Sequence, residues 1–244
     1  MKKIINNKTT QPTVKKIIIC AAMVGLIAVA TSAQNANIIW QTPQTIAGTS
    51  DVNVDGTFFA SWAPGDDWGG TQRSDNYPVN GVTFAAYGTG ANFSFTGAGI
   101  NMDRYNGFAN PNTPDSNYNY LLQTAEFNWN SGSSSMIINW DSMTVGDTYE
   151  VEMWLNDGRN NQSGTSTFTG GANTSASVAI GNGTPGQFII GTFVANASTE
   201  QITMSPGIML NLMQVRDIPE PSTLAVLAAG VGAMLFGLRR KSHV

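Results

Sequence analysis

The chain has 244 residues with 12 Lys+Arg, 16 Asp+Glu, one His and one Cys, and only 11% of it is charged while Gly supplies 26 residues. So low a charge excludes a coiled coil or helical bundle, and the 41% apolar content with six Trp excludes a disordered acidic chain. Between the two ends, residues 34–218 hold no lysine, and four arginines face fifteen acids there, a net charge of −11 that excludes nucleic acid and anionic lipid as partners of this body.

The N-terminus has the three parts of a secretory signal. Lys2, Lys3, Lys8, Lys15 and Lys16 precede an apolar run from Ile17 to Ala30, and the small residues Thr31-Ser32-Ala33 follow. Charged start, short apolar core and small-residue exit predict cleavage by signal peptidase after Ala33. Fourteen apolar residues fall short of the roughly 20 that span a bilayer, although an uncleaved N-terminal anchor is the alternative. Cleavage removes Cys20, the only cysteine, and with it any disulfide.

Residues 34–216 are predicted to form one all-β domain, an antiparallel β-sandwich or jelly roll. Asp51-Val52-Asn53-Val54-Asp55-Gly56 opens like a calcium loop, with oxygen ligands Asp51, Asn53 and Asp55 at alternate positions before a glycine. Trp62 stands where the bidentate acid should be, which favours an Asx-rich turn. Flat aromatics follow among Gly, Asn, Asp and Pro: Trp62, Trp68, Tyr77, Tyr105, Phe108, Tyr118 and Tyr120. Trp62, Trp68 and Tyr105 are candidate sugar platforms, and the competing use of such rings is to cover the ends of the sandwich. Strands are predicted at 82–87, 92–95, 136–140, 148–156, 187–195, 200–204 and 209–216, with turns at Asn80-Gly81, Gly88 to Gly90, Thr144 to Asp147 and Asn182-Gly183. In 148–156, Tyr149, Val151, Met153 and Leu155 share one face, while Glu150, Glu152, Trp154 and Asn156 share the other.

Inventory excludes most catalysis in the body. The only histidine, His243, lies near the C-terminus, so neither a Ser-His-Asp triad nor a His-based zinc site can form, and no lysine is there for a Schiff base. Glu150 and Glu152, about 6.5–7 Å apart along a strand, satisfy the spacing of glycosidase carboxylates. Alternating polar residues on a solvent-facing strand are the commoner meaning of the same pattern. Asp157 and Arg159 are expected to pair and brace their loop.

The C-terminus, residues 217–244, is a second address. Ile218-Pro219-Glu220-Pro221 leads into the apolar run Leu224–Leu238, closed by Arg239, Arg240 and Lys241. As a helix, 222–238 reaches about 25 Å at ~1.5 Å per residue, enough for a thin bilayer. The basic cluster would stay in the cytoplasm, leaving the body outside.

Pro219-Glu220-Pro221, the short apolar helix and the basic cluster together resemble the PEP-CTERM sorting signal of exported proteins from Gram-negative bacteria. The resemblance implies that an exosortase processes the tail near Pro219-Glu220-Pro221 and delivers the chain to the cell surface or extracellular matrix, often beside extracellular polysaccharide. Val79–Phe84, Met143–Tyr149, Leu155–Arg159 and Ile190–Ala195 also resemble stretches of a β-sandwich family common among such proteins, which implies the fold more than a function. Three functions are therefore expected in turn: a noncatalytic surface or matrix protein, a carbohydrate-binding module with calcium as its one conceivable cofactor, and an exported glycan hydrolase.

Overall fold

The computed structural model describes residues 35–64, 76–85, 93–97, 100–104, 113–128, 135–160, 163–206 and 209–219. The expected signal peptide with Ala33, the tail helix, Glu220, Pro221 and the Arg239, Arg240, Lys241 cluster lie outside them, as do Trp68 and Tyr105. In chain order the strands are β1 (Ile39–Trp40), β2 (Gln44–Thr45), β3 (Thr57–Trp62), β4 (Asn76–Val79), β5 (Val82–Ala85), β6 (Phe93–Thr96) and β7 (Ile100–Arg104). Helix α1 (Ser116–Leu122) precedes β8 (Thr124–Asn128), β9 (Met136–Trp140), β10 (Thr148–Leu155), β11 (Thr165–Gly170), β12 (Asn173–Thr174) and β13 (Val178–Ala179). The last strands are β14 (Gln187–Val194), β15 (Glu200–Ser205), β16 (Met209–Leu210) and β17 (Leu212–Asp217).

The protein is all-β with antiparallel sheets. The first large sheet runs β1-β14-β10-β17-β3, with β2 also on β14, and the second runs β12-β11-β15-β9-β6, with β13 also on β11. A three-stranded sheet β16-β8-β7 and the hairpin β4-β5 complete the described ladders. The hairpin turns where expected: Asn80 and Gly81 have φ of 48° and 79°, the left-handed pair that matches strand twist in a two-residue turn.

The two large sheets bury one core between them. Val151, Met153 and Leu155 from β10, Ile189 and Phe193 from β14, and Met213 and Val215 from β17 meet Met136, Ile138 and Trp140 from β9, Phe168 from β11, and Ile202 and Met204 from β15. Each such side chain contributes about 1.5–3 kcal/mol by leaving water. Gly191 sits where Ile38 and Trp40 close the end of this core. A Cβ there would lie 2.6 Å from the Trp40 ring, so the position has no room for a side chain.

A second core lies on the opposite face of the first sheet. Trp154, Phe188 and Leu212 point away from the second sheet and are covered by Val79, Val82 and Phe84 of the hairpin, Tyr118, Leu121 and Leu122 of α1, and Ile46 and Val52. Helix α1 presents that i, i+3, i+4 stripe, and the Asp115 side chain caps it by accepting from Tyr118 N at 2.7 Å. Asn211 interrupts the expected strand 209–216. Its Nδ2 donates to the carbonyls of Leu122, Thr124 and Asn156, tying the helix end to the first sheet.

Candidate functional site

Residues 46–56 form a strap across β10 and β17, under which the polar side chains of the first sheet collect. Ile46 N donates to Gly186 O at 3.0 Å, and a 3-10 turn at Thr49–Asp51 follows. Asp51 Oδ2 accepts from Ala47 N at 2.7 Å, Gly48 N at 2.9 Å and the Tyr118 hydroxyl at 3.3 Å. Asn53 is the centre of the strap. Its N–H donates to Glu152 Oε2 at 3.1 Å, its Nδ2 donates to Glu150 Oε1, and its carbonyl accepts from Gln214 Nε2 at 2.9 Å. Asn53 Oδ1 accepts from Asp55 N at 2.9 Å, closing the Asx turn that the sequence favours. Arg216 fastens the end: Nε donates to Asp55 O at 2.5 Å, and Nη2 to Val54 O at 2.9 Å and Gly56 O at 3.0 Å.

The electrostatics follow from burial. Glu152 is 1% exposed, and loss of water raises its pKa to about 8, with hydrogen bonds from Gln214 and Asn53 opposing the rise and the charges of Glu150 and Asp51 adding to it. Burial, with Asp51 next in weight, pushes the Tyr118 phenol up, and burial lowers Arg216 from its usual value.

The expected site residues separate. Asp51 Oδ2 and Asn53 Oδ1 accept from protein N–H and O–H donors, so the strap closes on itself as a hydrogen-bonded Asx turn. Among the described residues no group of three His, Cys, Asp or Glu is placed to hold a metal ion. Glu150 and Glu152 do share a face, but that face is not the solvent-facing one expected: the strap lies over it, Glu152 is buried and Glu150 is half-buried. Trp62 is 2% exposed in the inter-sheet core, its ring 4.6 Å from Phe95, and so offers no face to a sugar. Among the other loop aromatics, Tyr118 is buried and Tyr77 stacks on Tyr120 at 4.4 Å. Asp157 and Arg159 pair as expected, with Nη2 to Oδ2 at 2.6 Å and Nε to Oδ1 at 2.8 Å. The roles of Gln214, Arg216 and Asn211 are not legible in sequence, because each partner lies between 55 and 162 residues away in the chain.

The sorting segment leaves the body beside this site. Strand β17 is paired on both sides, to β10 and to β3, and Ile218 N donates to Thr148 O at 2.8 Å as the last backbone bond before exposed Pro219. Residues 217–241 match the family described as the PEP-CTERM protein-sorting motif. The chain thus carries that motif, which marks it as an exported protein sorted through an exosortase and the membrane. No curated protein and no solved structure matches the chain. Among the described residues no helix is long and apolar enough to cross a membrane, and the tail lies outside them.

Proposed function

We propose that this chain is a noncatalytic surface or matrix protein: a jelly-roll body delivered outside the cell by its C-terminal sorting segment. The observation that carries the reading is the junction at 217–219. The body's last strand is a central strand, held on both edges, and the matched motif begins on its final residue. Pro219 has no N–H to extend that ladder, so the body's backbone pairing ends where the segment engaged by a membrane protease begins.

Connectivity supports the jelly roll. Of the strands β3, β9, β10, β11, β12, β14, β15 and β17, taken in that order, the first, eighth, third and sixth are neighbours in one sheet. The second, seventh, fourth and fifth are neighbours in the other. The noncatalytic reading is supported by Glu150 and Glu152, which both accept hydrogen bonds from Asn53 of the strap, with Glu152 buried.

The test is processing in the native host, with one tag in a body loop and another after Val244. Changing Pro219-Glu220-Pro221 to Ala-Ala-Ala is expected to strand full-length protein in the inner membrane, whereas deleting 219–244 releases the body. If both tags stay together on mature surface protein, the segment is a simple anchor and the reading fails.

A carbohydrate-binding role is the second reading, supported by one depression between β1 and β12. Trp40 lies there beside Gln41, Thr42, Asn173 and Thr174, an aromatic among amides and hydroxyls. A glycan array with the wild type and Trp40→Ala separates the two readings: binding lost with Trp40 favours a sugar module, and no binding favours the matrix role alone.

A further inference from the structure

The hydrogen-bond pattern beneath the strap leaves two buried oxygens unmatched, Glu152 Oε1 and Gln214 Oε1. They belong to residues that stand directly opposite each other in the β10–β17 register. The other halves of the same two groups meet: Gln214 Nε2 donates to Glu152 Oε2 at 2.5 Å. The Gln214 amide cannot be turned over to relieve this, because its Nε2 also donates to Asn53 O at 2.9 Å. With an ionised Glu152, two acceptors stay buried without a donor, at a substantial cost in desolvation.

One proton removes both defects. We propose that Glu152 is held as a neutral carboxylic acid whose Oε1–H donates to Gln214 Oε1, forming a two-bond acid–amide pair that latches the strap 46–56 onto the first sheet. The proton comes from and returns to water, and nothing else is exchanged. Burial and the acidic neighbours favour the same state. Glu150 faces it from its own strand and Asp51 from the strap, both negative, while Tyr118 from α1 adds a buried neutral hydroxyl. Arg216 of β17 also lies near it, with Asp55 of the strap beside Arg216. The Arg216 charge opposes the neutral state, but Arg216 gives Glu152 no hydrogen bond, since its Nε and Nη2 donate to the carbonyls of Val54, Asp55 and Gly56.

The consequence is a strap whose closure is linked to pH. A closed strap requires a proton on Glu152, whereas an open strap lets the carboxylate hydrate and does not. Rising pH therefore favours opening. The sign for global stability is the same. An unfolded glutamate ionises in its ordinary range, while the folded one holds its proton up to about 8. Across that window the fold must take up a proton, so the folding equilibrium constant falls about tenfold per pH unit and levels off above it. Below the window both states are protonated and the effect is constant.

The experiment uses the full chain, solubilised in detergent, with glutamate labelled at the side-chain carboxyl carbon; it contains five glutamates. One signal is expected to keep the protonated shift through neutral pH and titrate near 8, and to be missing from Glu152→Gln. A Glu152 signal that ionises with the others overturns the acid–amide pair. The second measurement is amide exchange. Above pH 8, protection of Asn53 N–H is expected to drop at least tenfold in the wild type relative to β15 amides, and not in Glu152→Gln, whose amide reproduces both bonds. Equal protection in the two proteins overturns the latch even if the pair stands. Should Glu152→Gln fail to fold, the neutral state is refuted as well, since its closest isostere must be tolerated.

Discussion

The two large sheets carry the same alternation of residues, yet their outward faces meet different fates. On the second sheet the outward positions are Ser94 and Thr96 of β6, Ile137 and Asn139 of β9, Gln201, Thr203 and Ser205 of β15, and Thr165, Thr167 and Thr169 of β11. None of these is charged, and all are exposed or half-buried. On the first sheet the outward positions include Glu152 and Trp154 of β10, Phe188 of β14, and Leu212 and Gln214 of β17, every one of them buried. Period 2 alone assigns an outward face to water, and that is correct for the second sheet. The first sheet departs from it because its outward face mixes large apolar side chains with acids, and those apolar groups recruit the hairpin, α1 and the strap as a third layer. Glu152 and Gln214 are carried under that layer with them, which is why they are held by hydrogen bonds rather than hydrated.

The largest test of this contrast is Trp154→Ala. Trp154 is fully buried, edge-on to Phe84 at 6.0 Å and stacked on Phe188 at 6.1 Å. Its loss is expected to cost about 3–5 kcal/mol in denaturant unfolding. A loss under ~1 kcal/mol, the scale of an ordinary surface change, means that the third layer is not part of the cooperative fold. Arg216→Met comes next. It keeps the apolar stem but removes the donors to three strap carbonyls, for an expected loss of roughly 1–3 kcal/mol and faster exchange at Asn53. If exchange at Asn53 is unchanged, Arg216 does not hold the strap. Thr203→Ala on the open face of the second sheet is the smallest, expected within about 0.5 kcal/mol of wild type. A larger loss shows that this face is packed against something else.

Most of the strand positions are legible from periodicity. Met136–Trp140 agrees residue for residue, and Thr148–Leu155, Gln187–Val194 and Glu200–Ser205 agree within a residue at their ends. Strand β11 escapes because Phe168 is its one large apolar residue, which leaves no alternation to read, and its pairing with β12, β13 and β15 places it. Helix α1 escapes because seven residues are too few for a helical period to stand out, and its stability comes from the face it buries. Residues 209–216 read as one strand but divide at Asn211, whose amide is needed by three carbonyls from elsewhere in the fold.

By itself the sequence determined the class of the body, the Asn80-Gly81 turn, the Asp157–Arg159 brace and the sorting motif. Each of these rests on contacts within a few residues or on an unbroken pattern along the chain. Only the tertiary structure decided that Trp62 is core, that the Asp51–Asp55 segment is a strap, and that Glu152 is a buried acid set against Gln214. Those outcomes depend on which face of a strand is covered and on partners far apart in the chain. Alternation marks the two faces of a strand, but it carries no information about what the rest of the chain later lays over either one.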